Sequence, residues 1–160
     1  SLCGMSHMNF RDTHVYDYIN IANVVDRLGL GKNAIEKVFR RMVFNDMTFN
    51  FDDHVKNTSF LMNQKGEWSL APAYDLTFAY DKDGRFTNSH QVLINGKALN
   101  VTYEDYIECG KYMGISKLKM DQIIQQVREA VLDFEKYADE CDIREERMEY
   151  IKKLILSKKR

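Results

Sequence analysis

The segment from Asn50 to Asn57 concentrates side chains that could carry out chemistry. It holds two carboxylates, an imidazole, an ammonium group and the Asn57 amide within eight residues. A further carboxylate, Asp75, follows eighteen positions after Asn57. Phosphoryl transfer needs a base at the attacking hydroxyl and hard oxygen ligands for Mg²⁺ near the phosphates. These residue types therefore indicate a metal-assisted reaction at a phosphate group.

The spacing of these residues narrows the interpretation. Asp52 and Asn57 stand five positions apart, and this resembles the catalytic loop of protein kinases, where the Asp accepts a hydroxyl proton and the Asn holds magnesium. Kinases place a second metal-binding Asp after a short hairpin, and Asp75 follows a predicted one. In the purely structural alternative, Asp52 or Asp53 caps a turn, His54 is a hydrogen-bonded core residue and Asn57 stabilises the loop.

Two predicted helices precede this segment and must position it. Apolar residues at helical spacing predict the first over residues 16–28, with Asp12 or Thr13 as its cap and Gly29 at its end. The second is predicted over residues 33–47, and its wide apolar face is typical of a central, buried helix. A short loop after such a helix can direct an Asp and an Asn at one cleft.

Two hairpins are predicted after the loop. Residues 58–62 and 68–71 are short β-like runs on either side of a turn-forming segment. A second hairpin is predicted where residues 91–94 meet Asn95-Gly96, a dipeptide typical of tight hairpin turns.

The rest of the chain is predicted to be helical. Thr102 with Asp105, and Ser116, have the residue types that begin helices. The order of elements predicts an α+β fold that is predominantly helical, with small β-hairpins carrying the catalytic and metal-binding segments. With one proline and no linker, residues 1–160 are expected to form a single domain.

Composition and charge exclude some classes of function. The chain has 23 basic and 24 acidic residues, so its formal net charge of -1 gives no global attraction to nucleic acid or acidic lipid. The sequence contains no window of about 18 apolar residues, which excludes a membrane-spanning helix. The three cysteines lack metal-ligand or redox spacing. The isolated histidines His7, His14 and His90 are interpreted as hydrogen-bonded loop residues rather than metal ligands.

The C-terminus carries a local basic cluster, consisting of Lys152, Lys153, Lys158, Lys159 and Arg160. The cluster could contact RNA or an acidic partner. The favoured interpretation is that these residues complement the negative end of a helix and are balanced by glutamates just upstream.

Several separated motifs together resemble the C-terminal region of HipA-like serine/threonine kinases, which are toxin components of bacterial toxin–antitoxin systems. The resemblance lies in Phe44-Asn45, in the segment 50–57 and in Trp68–Leu76, and it extends to residues 1–7 and to Asn95-Gly96-Lys97. It covers roughly residues 1 to 135. It implies a helical domain like the C-terminal lobe of kinases, in a cytoplasmic protein that uses ATP as co-substrate with Mg²⁺.

The resemblance also implies roles for individual residues. Asp52 matches the catalytic aspartate, and His54 matches a catalytic-loop histidine near the nucleotide phosphates. Lys56, Asn57 and Asp75 match further nucleotide-binding positions. Within that set, Asn57 and Asp75 match the pair that binds Mg²⁺.

The sequence departs from the family pattern at two points. Asp53 stands where some members have arginine. The sequence also has no glycine-rich phosphate loop, since Gly29-Leu30-Gly31-Lys32 is better interpreted as a helix stop and restart. The chain is therefore expected to be a fragment that lacks the N-terminal lobe and is inactive alone. The implied partners are that lobe, an antitoxin and a protein substrate such as an aminoacyl-tRNA synthetase. Direct contact with nucleic acid or a membrane is not expected.

Two other classes of function stay open at this stage. One is a metal-dependent hydrolase or nuclease built on Asp52, Asp53, His54 and Asp75, since two-metal sites use carboxylate clusters. The other is a non-enzymatic binding module that docks an antitoxin or another partner protein.

Overall fold

A computed structural model describes residues 1–158 of the chain. Over those residues the regular structure consists of helices, one small antiparallel sheet and a 3-10 turn at Val55–Asn57. The helices are α1 (Leu2–Met5), α2 (Tyr18–Arg27), α3 (Gly31–Met47), α4 (Tyr103–Tyr112), α5 (Lys117–Leu132), α6 (Phe134–Glu140) and α7 (Glu145–Ser157). The strands are β1 (Phe60–Met62) and β2 (Trp68–Leu70). The predicted α+β, mainly helical class is confirmed.

Helix α2 begins later than the sequence predicts. Its cap is Asp17, whose side chain accepts from the Ile19 amide and forms a capping box with Asn20. The prediction of a cap at Asp12 or Thr13 is wrong. The reason is that Leu93 pairs with residues 16–18, which holds them extended up to the first helical turn.

The junction between α2 and α3 is the predicted stop and restart. Gly29 has a φ of 67° and follows the last turn of α2, a conformation that favours glycine. Helix α3 then begins at Gly31. Lys32 thus lies in the first turn of a helix that belongs to the core.

Helix α3 is the centre of the molecule. It packs against α2 on one side and α5 on another. Its buried apolar side chains are Ala34, Ile35, Val38, Phe39, Met42, Val43 and Met47. The helix also buries Asn45 and Asp46 near its C-terminal end, just before the predicted catalytic loop.

The first predicted hairpin is confirmed, and of the second only the turn and one antiparallel residue pair form. Strands β1 and β2 pair antiparallel, with Phe60 opposite Leu70 and Met62 opposite Trp68. At Asn95-Gly96 the chain makes only a tight turn, closed by reciprocal bonds between Ile94 and Lys97.

The second hairpin does not extend beyond Ile94 and Lys97 for a physical reason. Hydrogen-bonded pairs alternate along an antiparallel ladder, so the next amide that would bond across the hairpin is that of Val92. That amide donates instead to the Asp53 carboxylate. Leu93, whose backbone groups point to the outer edge, pairs with Tyr16 and Tyr18.

The predicted helix starts after residue 101 are confirmed. Thr102 and Asp105 form a capping box for α4, and the Ser116 side chain caps α5. The two helices approach closely at Gly110, where an added Cβ would lie 2.0 Å from the Met120 sulfur. Within residues 1–158, no helix has the length and apolarity to span a membrane.

The basic C-terminal residues divide between two environments. Lys152 pairs at the surface with Glu135 and Glu149, as the interpretation of a balanced helix end predicts. Lys158 instead reaches the buried Asp46. Lys159 and Arg160 of the predicted cluster lie outside the described residues.

Candidate active site

The end of α3 fixes the start of the catalytic loop. Phe49 has a φ of 55°, an uncommon conformation for a bulky side chain, and it turns the chain sharply. The Asn50 amide then donates back to the Asn45 carbonyl at 2.9 Å. Backbone bonds from Phe51 to Ala79 and from Ala79 to Phe49 tie this turn to the segment after Asp75.

Asp52, the predicted catalytic residue, is half-buried and held at two points. Its Oδ1 accepts a hydrogen bond from Gln91 Nε2 at 2.6 Å. Its main-chain oxygen accepts one from Asn57 Nδ2 at 2.9 Å. Among residues 1–158, no group donates to Oδ2.

Asn57 lies at the end of the 3-10 turn, and its amide is oriented by the loop itself. Because its NH₂ group donates to Asp52, the amide oxygen is the atom left to bind a cation. Asn57 and Asp75 line the same pocket. The structure therefore brings together the two predicted metal ligands.

Asp75 is presented to solvent by a constrained backbone. Its φ is 55°, and its carbonyl oxygen accepts a hydrogen bond from Asn50 Nδ2 at 3.2 Å. Asn50 is 1% exposed and also donates to Asn45 Oδ1. In the described part of the chain, the Asp75 carboxylate itself has no hydrogen-bond or ion-pair partner.

His54 and Lys56 lie on another side of the loop, against the N-terminal segment. The His54 ring packs edge-on to Phe10 at 5.7 Å, and the Lys56 ammonium lies 3.4 Å from the centre of the same ring. His54 Nδ1 is buried and has no hydrogen-bond partner among residues 1–158. Neither residue lines the pocket that Asn57 and Asp75 share.

Asp53 points into the core, although it is adjacent to Asp52. It is 4% exposed and accepts hydrogen bonds from Tyr18 Oη at 2.9 Å and from the Gln91 and Val92 amides at 2.9 and 3.3 Å. Its Oδ2 also contacts His90 Nδ1 at 2.8 Å. A carboxylate satisfied in this way is not available as a metal ligand, which removes Asp53 from the alternative hydrolase site.

His90 joins Asp53 to Asp46 of helix α3. The buried ring contacts Asp53 with Nδ1 and Asp46 Oδ1 with Nε2, the latter at 3.1 Å. Burial alone would lower the pKa of His90. The Asp53 charge and the hydrogen bonds to both carboxylates outweigh that effect and raise the pKa from 6.5 to about 9. The two carboxylates on its ring nitrogens therefore favour the protonated form of His90.

Asp46 receives two further partners from distant parts of the chain. Tyr106 Oη donates to its Oδ2, and Lys158 Nζ lies 2.6 Å from its Oδ1. Burial would raise the pKa of Asp46, but the His90 hydrogen bond and the Lys158 charge more than offset this and lower it. We call Asp46, Asp53, His90 and Lys158 the buried ionic cluster.

The sequence interpretation missed the buried ionic cluster and Gln91. The expectation that His90 forms hydrogen bonds is confirmed, but its two carboxylate partners were not identified. One signal was available in the sequence. Asn45 and Asp46 interrupt an otherwise apolar end of a helix predicted to be buried, and a buried carboxylate needs a partner.

The donors at the pocket suit a magnesium ion. Asn57 offers an amide oxygen and Asp75 a carboxylate, and Mg²⁺ in nucleotide sites typically takes one or two protein carboxylates together with phosphate oxygens and water. Over residues 1–158, no group of three or more His, Cys, Asp or Glu side chains converges as a metal site. The pair therefore fits a metal ion that is bound jointly with a phosphate ligand.

Comparison with known families agrees with the resemblance. The chain belongs to the family described as HipA-like C-terminal domain, which matches residues 1–134. No curated protein matches the chain significantly. The matched range contains the whole loop, Asp75 and His90, and it ends where α6 begins.

Proposed function

We propose that this chain is the catalytic lobe of a HipA-like serine/threonine kinase, transferring the terminal phosphoryl group of Mg-ATP to a protein hydroxyl. One observation carries the proposal: Asp52 is bonded to Asn57, and Asn57 shares a pocket with Asp75. A base and two hard oxygen ligands thus come from a loop and from the segment that follows a hairpin, in kinase order. The likeness to a kinase C-terminal lobe is part of this proposal.

In this mechanism Asp52 receives the proton of the substrate hydroxyl. Its Oδ1 is occupied by Gln91, so Oδ2 is the oxygen that accepts the proton. General-base assistance of this kind typically contributes about 10²–10⁴-fold to a rate. The bond from Asn57 to the Asp52 carbonyl fixes the Asn57 side chain against the backbone of the base.

Asn57 and Asp75 would hold Mg²⁺, which supplies charge neutralisation at the transferred phosphate. We assign His54 and Lys56 to the nucleotide phosphates on the resemblance, because both pack on Phe10 here and neither lines the pocket of Asn57 and Asp75. Lys56 is exposed on a flexible side chain, so its ammonium can exchange the Phe10 ring for a phosphate.

The proposal includes partners of stated kinds. A lobe that covers the nucleotide is required, because the sequence holds no glycine-rich phosphate loop. A protein hydroxyl, for example on an aminoacyl-tRNA synthetase, is the proposed acceptor. An antitoxin is the proposed regulator.

The experiment measures phosphate transfer from labelled Mg-ATP by the full-length gene product that contains this sequence. Asp52→Asn should reduce transfer by about 100-fold or more, because the amide cannot accept the proton. The matched control is Asp139→Asn, an exposed aspartate on α6, which should leave the rate unchanged.

Two results would contradict the proposal. Absence of transfer by folded wild-type protein supplied with nucleotide would favour a binding module instead. Metal-dependent cleavage of an ester without ATP would favour the hydrolase, although the burial of Asp53 removes one of its four predicted residues.

A further inference from the structure

Gln91 makes a hydrogen bond to the predicted catalytic aspartate that the sequence did not suggest. The residue is 6% exposed, and its Nε2 donates to Asp52 Oδ1 at 2.6 Å and to the Phe86 carbonyl at 3.2 Å. A carboxylate and a carbonyl oxygen only accept, so the NH₂ end of the amide must face both. Each of its two hydrogens then has a partner.

The backbone of Gln91 is fixed independently of its side chain. Its amide donates to Asp53 Oδ1 at 2.9 Å, and the preceding His90 contacts Asp53 Oδ2 at 2.8 Å. Two neighbouring residues therefore hold two others. His90 contacts Asp53 through its side chain. Gln91 bonds Asp53 through its backbone amide and Asp52 through its side chain. Gln91 cannot shift without breaking contacts to the buried ionic cluster.

We propose that Gln91 is a positioning residue for Asp52, an inference that rests on the proposed kinase function. By holding Oδ1, it fixes the rotation of the carboxyl group and leaves Oδ2 as the oxygen that meets the substrate hydroxyl. A charge-assisted bond to a pre-placed donor fixes a catalytic group at small entropic cost, because the donor is already immobile. Gln91 acts through Asp52 and does not contact the nucleotide.

A purely structural role would have different consequences. If Gln91 only closed the loop through Phe86, its replacement would change stability and leave the turnover of the folded enzyme intact. A positioning role changes kcat while the KM for ATP stays constant, since the lost interaction concerns only the base.

The kinetic test uses Gln91→Leu and Gln91→Glu in the full-length gene product. Leu removes the donor at similar volume, and we expect kcat to fall about 10- to 100-fold with the KM for ATP unchanged within about twofold. Glu faces Asp52 with a second carboxylate, so the loss should be larger. The matched controls are Gln125→Leu and Gln125→Glu on α5. The side-chain amide of Gln125 also donates to a carboxylate, that of Glu129, at 2.8 Å.

A spectroscopic test does not depend on activity. In the 160-residue chain, Asp52→Asn should shift the NMR resonances of the Gln91 side-chain NH₂ group and leave those of Gln125 in place. Unshifted Gln91 resonances would show that the contact is absent and would overturn the inference whatever the activity.

The kinetic outcomes are equally decisive. An active enzyme whose kcat is unchanged by Gln91→Leu overturns the positioning role alone. Absence of transfer by the wild-type enzyme overturns the proposed function and the positioning role of Gln91 with it. An intact NMR contact between Gln91 and Asp52 distinguishes that result from a misplaced Gln91 side chain.

Discussion

Asp53 and Asp75 border the same pocket, but they are in opposite situations. Asp53 is 4% exposed and is satisfied by protein donors on both oxygens, including a histidine that the cluster keeps protonated. Asp75 is exposed, and its carboxylate has no partner within residues 1–158. The fold itself supplies the counter-charge for the first aspartate and leaves the second for a ligand.

The comparison distinguishes residues that stabilise the fold from residues that are open to a ligand. The buried ionic cluster packs beneath the catalytic loop, so substitutions in the cluster should lower the free energy of unfolding. The open pair of Asn57 and Asp75 contributes little to packing, so substitutions there should weaken the binding of metal and nucleotide. The predictions below test that division, beginning with the largest expected effect on stability.

His90→Leu should cause the largest loss of stability. It leaves the Asp46 and Asp53 carboxylates buried without their shared cation, and breaking a buried ion pair typically costs about 3–5 kcal/mol. The measurement is the free energy of unfolding in urea. The control is His14→Asn, because exposed His14 bonds Ser89 through its ring and asparagine tolerates the positive φ of 62° at this position. A loss no greater than the control's would contradict the account of the cluster.

The stability of the wild-type chain should fall as pH rises from about 6.5 to about 9. The folded chain keeps the His90 proton up to a pKa of about 9, while the unfolded chain releases it near the ordinary value of 6.5. In that window the unfolded state binds fewer protons, so the free energy of unfolding decreases, by roughly 3 kcal/mol in total.

The pH prediction is checked by urea unfolding of wild type and His90→Leu at several pH values in the window. The variant should show a much flatter dependence. Burial raises the pKa of the Cys109 thiol to about 12, so that group adds its own loss only above about pH 9. Parallel curves for the two proteins would show that His90 does not hold the proton.

Lys158→Met should cause an intermediate loss. The substitution removes one of two cations from the buried Asp46 while keeping the apolar length of the side chain, and we expect a cost of about 1–3 kcal/mol. Lys152→Met on α7, the helix that ends just before Lys158, is the matched control, since its ion pairs lie at the surface and should contribute little. Equal effects of both variants, measured by urea unfolding, would remove Lys158 from the cluster.

Asp75→Asn should have the smallest effect on stability and a large effect on the Mg²⁺ concentration that the reaction requires. Asn tolerates the left-handed backbone that Asp75 adopts, so the unfolding midpoint should not change. The Mg²⁺ concentration that supports half-maximal phosphate transfer should rise about tenfold or more, because one hard ligand loses its charge. Asp142→Asn, an exposed aspartate with a φ of 52°, is the matched control and should change neither quantity.

The elements that position the site could be predicted from local patterns. Helix α3, the first hairpin, and the caps at Thr102 and Ser116 all follow from periodicity and residue type within a few positions. The placement of Asn57 and Asp75 at one pocket was predicted by the spacing and the resemblance. These features depend on short stretches of chain, where sequence rules are strongest.

The features that could not be predicted depend on distant contacts. His90 lies 44 residues from Asp46, and the two are joined only after α3 and the segment before Asn95 have packed together. The hairpin predicted at residues 91–94 stays short for the same reason, because the Asp53 carboxylate takes the Val92 amide that would extend it. A short sequence pattern cannot predict a hydrogen bond to a residue that lies far away in the chain.

The pair of Lys158 and Asp46 also has a consequence for the order of assembly during synthesis. The two residues are 112 positions apart, and Lys158 follows every other member of the cluster. Contacts of such long range close late, because their loop entropy is offset only once the intervening elements are in place. As the chain leaves the ribosome, Asp46 therefore depends first on His90 and receives its second cation only after α7 has been made. A nascent chain that stops before α7 carries the complete catalytic loop on a cluster with one cation fewer.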